Sequence, residues 1–291
     1  MKFQYLSDLH LEFPSNKKWV KKNIKPIGDY LLIAGDTGYL TNSRKNHIYE
    51  NYCDSFLKYC SDNWKQTILI PGNHEYYGKF PLYISKNDYE IASITSVKIH
   101  PNVTLLNNDI FDIEGDEYDI RVFGATLWSY INPEEFSEIW SCMNDYRMCE
   151  YKEGEKLNPG HTIFEHLKTY RELQSLKYKS QFKYHYYKIL NKNGKEDLKV
   201  IKKPLKHIIM THHGCHLNCI AECYRSSNIN SAYTSDLSNL IDEIKPDAWI
   251  YGHTHQTKSF EHNGVKIVEN SLGYVDYDDI SHFDKKAVLD I

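Results

Sequence analysis

Thr67-Ile68-Leu69-Ile70, running into Pro71-Gly72-Asn73-His74-Glu75, is the stretch on which the fold turns. Four aliphatic or β-branched residues stop dead at Pro-Gly, and the residues beyond are polar. A short apolar run bounded by breakers predicts a buried strand, here one that delivers Asn73, His74 and Glu75 at its carboxyl end. The same pattern is written four more times. Lys2 to Leu6 leads into Ser7-Asp8-Leu9-His10, and Tyr30 to Ala34 into Gly35-Asp36. His207 to Met210 leads into Thr211-His212-His213-Gly214, and Ala248 to Tyr251 into Gly252-His253-Thr254-His255. Open α/β sheets bind ligands at the carboxyl ends of their strands, so the five strand ends are expected to converge on one site.

The segments between them carry helical spacing. Tyr49 to Asn63 places Tyr52, Phe56, Leu57 and Tyr59-Cys60 on one side, and Ser235 to Ile244 reads as a helix capped by Ser235 with Leu237, Leu240, Ile241 and Ile244 as its stripe. Phe164 to Leu190 reads as one long helix or two short ones. Strand–helix alternation implies an α/β domain. The later strands look antiparallel: Asn263-Gly264 is a strong hairpin turn between Lys258–Glu261 and Val265–Val268, and Ala287 to Ile291 can add an edge strand. With no linker and no internal repeat, the expectation is one domain over residues 1–291, with mixed sheets and a lid or insertion around 129–168.

Composition narrows the class. The 291 residues are 41% hydrophobic and 25% charged with net charge −4, which argues against a chain built mainly for nucleic acid or an acidic membrane surface. The start, MKFQYLSDLHLEF, alternates and carries charge, unlike a signal peptide, and no run approaches the length of a membrane-spanning helix. A cytoplasmic location with reduced thiols is therefore expected for the seven cysteines. Cys215, Cys219 and Cys223 fall four apart beside His216, and read as small half-buried side chains sooner than as a metal or redox site.

Imidazole and carboxylate together suit manganese, iron or zinc better than calcium. Each motif is weak alone, but five in order at five strand ends are not. Asp8-x-His10, Gly35-Asp36, Gly72-Asn73-His74-Glu75, Thr211-His212-His213 and Gly252-His253-Thr254-His255 together resemble the calcineurin-like metallophosphoesterases over nearly the whole chain. SDLHLEF, PGNHEYYG, GATLW followed by Asn144-Asp145-Tyr146-Arg147, YTSDL and GHTHQ are similar to an Icc-like subset of small phosphoesterases. Two places depart: Gly214-Cys215-His216 replaces small or Pro residues, and Asn270-Ser271-Leu272-Gly273-Tyr274 stands where the subset has N-P-R-G-Y, losing an arginine.

The resemblance implies a four-layer α-β-β-α sandwich with two mixed sheets flanked by helices. It implies two divalent ions, one on Asp8, His10 and His255, the other on Asn73, His212 and His253, with Asp36 bridging. Adjacent residues at a strand end point opposite ways, so only one of His212 and His213 can face the metals; the family pattern favours His212. Against two divalent ions, two carboxylates and a bridging hydroxide leave about +1, attractive to phosphate. That hydroxide is the expected nucleophile for in-line attack on a phosphate mono- or diester, and His74 the catalytic group at the leaving oxygen. Glu75 and Asp8 are candidates for orienting imidazoles. Arg147, Arg225 and Tyr76, with Tyr77, are candidates for contacting substrate.

Residues 177–206 hold ten lysines against Glu196 and Asp197, with Tyr178, Phe182, Tyr184, Tyr186 and Tyr187 interleaved. That composition fits a single-stranded nucleic-acid surface, but a helix with a solvated lysine face and a following turn at 191–195 is the plainer expectation. The function expected is a small-molecule or nucleotide phosphoesterase; nucleic acid is not the favoured partner. A protein phosphatase or nuclease with the same metals, or a non-catalytic binding scaffold, are the alternatives.

Overall fold

The apolar runs become strands because each is buried on both faces, where β-branched and aliphatic side chains pack best. The computed structural model describes residues 1–39, 53–77, 80–86, 89–92, 94–176, 181–190 and 196–291. In chain order the strands are β1 (Lys2–Leu6), β2 (Tyr30–Ile33), β3 (Gln66–Leu69), β4 (Tyr83–Lys86), β5 (Tyr89–Ala92), β6 (Val97–His100), β7 (Val103–Leu105), β8 (Asp109–Ile113) and β9 (Asp119–Ala125). They continue with β10 (Glu150–Lys152), β11 (Glu155–Lys156), β12 (Phe182–Leu190), β13 (Glu196–Thr211), β14 (Ala248–Tyr251), β15 (Thr257–His262), β16 (Val265–Asn270) and β17 (Val288–Asp290). The helices are α1 (Pro14–Asn23), α2 (Asp54–Asn63), α3 (Phe136–Cys142), α4 (Asp145–Met148), α5 (Pro159–Leu176) and α6 (Ser238–Ile244).

Two mixed sheets stack. One runs β17-β1-β2-β3-β7-β6 and the other β15-β16-β14-β13-β9-β8, with β12 added to β13. Between them lies a layer of Phe3, Leu32, Ile68 and Ile70 against Ile120, Val122, Ile208, Met210 and Ile250. The outer face of the first sheet packs Leu31, Ile33 and Leu69 on Val20 of α1 and Phe56, Leu57 and Cys60 of α2. The outer face of the second packs Phe123, Ile209 and Trp249 on Leu173 and Leu176 of α5 and Leu240 and Ile241 of α6. This is the four-layer sandwich expected.

Several local expectations are corrected. The later strands are antiparallel only in part: β15 and β16 form the expected hairpin and β17 pairs antiparallel to β1 as the expected edge strand, and β8 and β12 also oppose their neighbours, but β9, β13, β14 and β16 run parallel to one another. The helix expected over Phe164–Leu190 runs from Pro159 to Leu176, and Phe182–Leu190 is a strand paired residue for residue with Glu196–Pro204. Alternation there turns Lys183 and His185 toward acidic residues of the body, which a helical period would scatter. The helix expected from Ser235 begins at Ser238, because Asp236 accepts from the Ser238 backbone N–H. Cys219 and Cys223 lie in separate short 3-10 turns, so their spacing does not align them on one face. Residues 49–52, 177–180 and 191–195 of the expected elements lie outside the described residues.

Residues 129–168 contribute α3, α4, the β10–β11 hairpin and the start of α5, and bury Ile131, Ile139, Tyr146, Cys149 and Leu157 in the core beside Leu9 and Tyr76. This segment therefore reaches the same end of the sheets as the five strand ends.

Candidate metal centre

After β1, β2 and β14 the backbone breaks sharply, and the break aims a side chain. Asp8, His10, Asp36, His253 and His255 all have positive φ, between 45° and 73°. For residues with a Cβ this costs on the order of 1–3 kcal/mol each and survives only where the surroundings over-determine it. Here they do: Asp8 N–H donates to Gly35 O at 3.0 Å, His10 N–H to Asp36 O at 3.0 Å, and His253 N–H to both Asp8 carboxylate oxygens at 3.1 Å. The motif glycines follow from the same crowding. A Cβ at Gly72 would sit 2.1 Å from Asp36 Oδ1, and one at Gly35 2.4 Å from His212 Nδ1.

The side chains so aimed converge. Asp36 Oδ2 has His212 Nε2 at 3.4 Å, His10 Nε2 at 3.9 Å and His74 Nε2 at 4.0 Å. Asp8, His10 and His255 form one tight donor group, Asp36, His212 and His253 another, and His10, Asp36 and His74 a third. Asn73 Oδ1 lies 3.0 Å from His212 Nε2. Of the adjacent pair, His212 turns toward Asp36, while His213 packs on the His253 ring at 4.2 Å and sits 3.2 Å from Thr126 O.

These residues fit two divalent ions on their own chemistry. His10 Nε2 and His255 Nε2 point at each other across 3.1 Å, and His253 Nε2 is buried with no hydrogen-bond partner. A buried imidazole nitrogen without a partner, and two more facing each other beside the Asp8 and Asp36 carboxylates, are a costly arrangement unless cations lie among them.

A ring of outer partners, not identified from the sequence, holds the inner groups. Glu12 Oε1 lies 3.2 Å from His10 Nδ1 and 2.9 Å from His74 Nδ1, and Asp278 lies 2.9 Å from His255 Nδ1. His212 Nδ1–H donates to Ala34 O at 2.8 Å, which leaves Nε2 for the site. Asp145 accepts from the Asn73 side-chain amide at 2.7 Å and from Tyr77 O–H at 2.6 Å, so the amide oxygen of Asn73 faces the cluster. Glu75, expected beside an imidazole, instead accepts from the backbone N–H groups of Gly72 (2.6 Å), Thr37 (2.8 Å) and Asp36 (3.1 Å), pinning two strand ends together. Glu12 lay within SDLHLEF and Asp145 within Asn144-Asp145-Tyr146-Arg147, but no local pattern marked what either would face.

The electrostatics follow from burial against charge. Burial lowers the His74 pKa, but Asp36 and then Glu12 outweigh it and raise it to about 9. Burial likewise opposes His212, and Asp36 raises it to about 10. Burial and then Asp36 push Glu75 up to about 8. His253 is held well below the ordinary histidine value by burial, then by His213 and His212. Cations beside Asp36 would compete for its charge and lower both raised histidines.

Beside the cluster lies a cleft of about 510 Å³. Asp36, Asn73, His74, His253 and His255 form its floor, and Tyr77, Met143, Tyr224, Tyr233 and Tyr274 wall it. Tyr274 O–H lies 3.1 Å from His74 Nε2. Three sequence candidates are not among the cleft-lining residues. Tyr76 is buried and turned to Trp128, with ring centres 5.8 Å apart. Arg147 donates to Ser141 O, and Arg225 pairs with Glu222 at 3.0 Å beside a neighbouring pocket. Leu272, where the subset carries arginine, is fully buried in the core.

The sequence model of the calcineurin-like phosphoesterases matches residues 1–257. An uncharacterized protein of Acanthamoeba polyphaga mimivirus is 32% identical over 304 residues, spanning 99% of this chain and 96% of that one. The crystal structure of a phosphopantetheinyl hydrolase from Mycobacterium tuberculosis superposes with a TM-score of 0.62 at 15% identity, over 94% of this chain and 89% of that one. At that identity the likeness is one of fold.

Proposed function

The chain belongs to the calcineurin-like phosphoesterase family and is a metal-dependent phosphoesterase with a binuclear site, and on that premise we propose how its residues divide the work. Asp8, His10 and His255 would hold one ion, Asn73, His212 and His253 would hold the other, and Asp36 would serve both. The observation that carries this is the convergence of three imidazole nitrogens within 4.0 Å of Asp36 Oδ2. Bound ions supply Lewis-acid charge and water activation. Manganese, iron and zinc all suit these donors.

The chain's own groups do the rest. Glu12 accepts from His74 Nδ1–H and leaves Nε2 toward the cleft, where it donates to the leaving-group oxygen. Asp145 and Tyr77 fix the Asn73 amide, and Asp278 fixes the His255 ring, so no ligand must reorganise as charge builds. A cleft of about 510 Å³ with aromatic walls suits a small phosphate ester of nucleotide size better than a protein loop. The marks SDLHLEF, PGNHEYYG and GHTHQ support an Icc-like place within the family. Residues 129–168 act as an insertion in one domain that walls the cleft through Cys142, Met143 and Asn144.

The test is hydrolysis of p-nitrophenyl phosphate and bis-p-nitrophenyl phosphate by manganese-loaded protein. Turnover of at least one is expected, abolished by chelator and by Asp36→Ala, and cut roughly 10²- to 10⁴-fold by His74→Ala. Protein shown to hold two metals per chain that turns over neither would sink the reading.

A further inference from the structure

The β12–β13 arm carries a surface that the phosphoesterase site does not use. Its inner face is anchored: His185 pairs with the buried Asp119, Lys183 with Asp112 at 3.2 Å, and Lys203 Nζ donates to Gly115 O at 2.6 Å. Its outer face is set by alternation and by register, which pairs Phe182 with Pro204, Tyr184 with Lys202, Tyr186 with Val200, and Lys188 with Leu198. All eight are exposed, with Tyr184 at 49%, Tyr186 at 65% and Leu198 at 61%. None of the eight is acidic. Contiguous apolar faces of this kind on a soluble chain mark binding surfaces.

We propose that this face docks single-stranded nucleic acid. Charge and ring chemistry select that occupant together. The face carries Lys188 and Lys202 and no acidic side chain, within residues 177–206 that hold ten lysines against Glu196 and Asp197, so it suits an anionic partner. A second copy would bring the same charge against it. Phe182, Tyr184 and Tyr186 follow one another on a single face about 7 Å apart, a ladder on which unstacked bases can lie. Lys202 sits among the rings, 3.8 Å over Phe182 and 6.0 Å from the Tyr184 centre, where it can meet phosphates beside stacked bases. Duplex DNA offers phosphates but no base faces. The surface is separate from the cleft: Val200 precedes His212 by twelve residues of nearly continuous strand, roughly 40 Å. The arm therefore brings the enzyme to a nucleic acid and does not feed its metal site.

The experiment is fluorescence anisotropy of a labelled deoxythymidylate of about 20 nucleotides with the full-length, manganese-loaded protein at about 50 mM salt. The single strand is expected to bind more tightly than the matching duplex. Tyr184→Ala and Tyr186→Ala should each weaken it about five-fold or more, and Lys188→Gln with Lys202→Gln should flatten the log–log salt slope by about 1.4. These positions are exposed and the inner-face anchors remain, so circular dichroism and chromogenic-ester turnover should be unchanged. The proposal is overturned if the wild-type chain leaves the anisotropy flat, if duplex binds as well, or if the ring variants bind as tightly. It is equally overturned if the ring variants turn a sedimenting dimer into a monomer while oligonucleotide is ignored, since the face is then an interface between copies.

Discussion

Glu75 shows how much one buried carboxylate can organise. It is wholly buried, and its two oxygens take four backbone N–H groups, those of Asp36, Thr37 and Gly38 after β2 and of Gly72 after β3. Glu75→Gln replaces one acceptor by an NH₂ that faces N–H groups, and is expected to cost about 1–3 kcal/mol in denaturant unfolding. Asp145 works on the ligand itself. Asp145→Ala frees the Asn73 amide to turn its nitrogen toward the cluster, with an expected 10- to 100-fold loss of metal affinity by calorimetric titration. A variant that binds both ions with wild-type affinity would show that Tyr77 and packing suffice to orient Asn73.

At the scale of elements, strands that look alike in composition have opposite roles. Ile208 on β13 is fully buried between the sheets, while Leu198 on the same strand is 61% exposed on the arm. Ile208→Ala should cost about 2–5 kcal/mol, because it leaves a cavity the two sheets cannot close. Leu198→Ala should stay within about 0.5 kcal/mol, and paired urea unfolding curves separate the two. The α5 segment shows where local pattern was legible and where it failed. Its helical spacing was readable from Phe164, but Phe182, Tyr184 and Tyr186 alternating with Lys183 and His185 follow a period of two, a strand signal that the expected helix ran across and that pairing with β13 bears out.

For the whole molecule, acid stability is tied to His166. It is buried on α5 near Trp128 O at 3.5 Å and the rings of Tyr130 and Tyr170, and burial lowers its pKa to about 4. The unfolded chain takes up this proton near pH 6.5 and the folded chain only near 4, so stability contributed above 6.5 is lost as pH falls through that window. The slope is at most about 1.4 kcal/mol per pH unit. His166→Gln should flatten thermal stability between those values relative to the parent; parallel curves would refute the assignment. Metal acts on the same global equilibrium: manganese at a hundred times its Kd should stabilise by about 2.7 kcal/mol for each ion bound, raising Tm with concentration, and chelator should reverse it.

By itself the sequence determined the strand ends, their order and the inner donor types, because each motif is local: an apolar run, a breaker and a polar residue within ten positions. It also carried the α/β class, since strands buried on both faces read as continuous apolar runs, while the four-layer sandwich came from the family resemblance. The outer partners were decided only by tertiary structure. Glu12 meets His74 across 62 residues, Asp145 meets Asn73 across 72 and Asp278 meets His255 across 23. A carboxylate's role depends on what faces it, and contacts across such separations leave no period in the chain. Arg147 and Arg225 read as phosphate contacts by type alone, yet packing turned one to a backbone carbonyl and the other to Glu222. Charge type is written in the sequence, whereas its direction is settled by the elements that carry it.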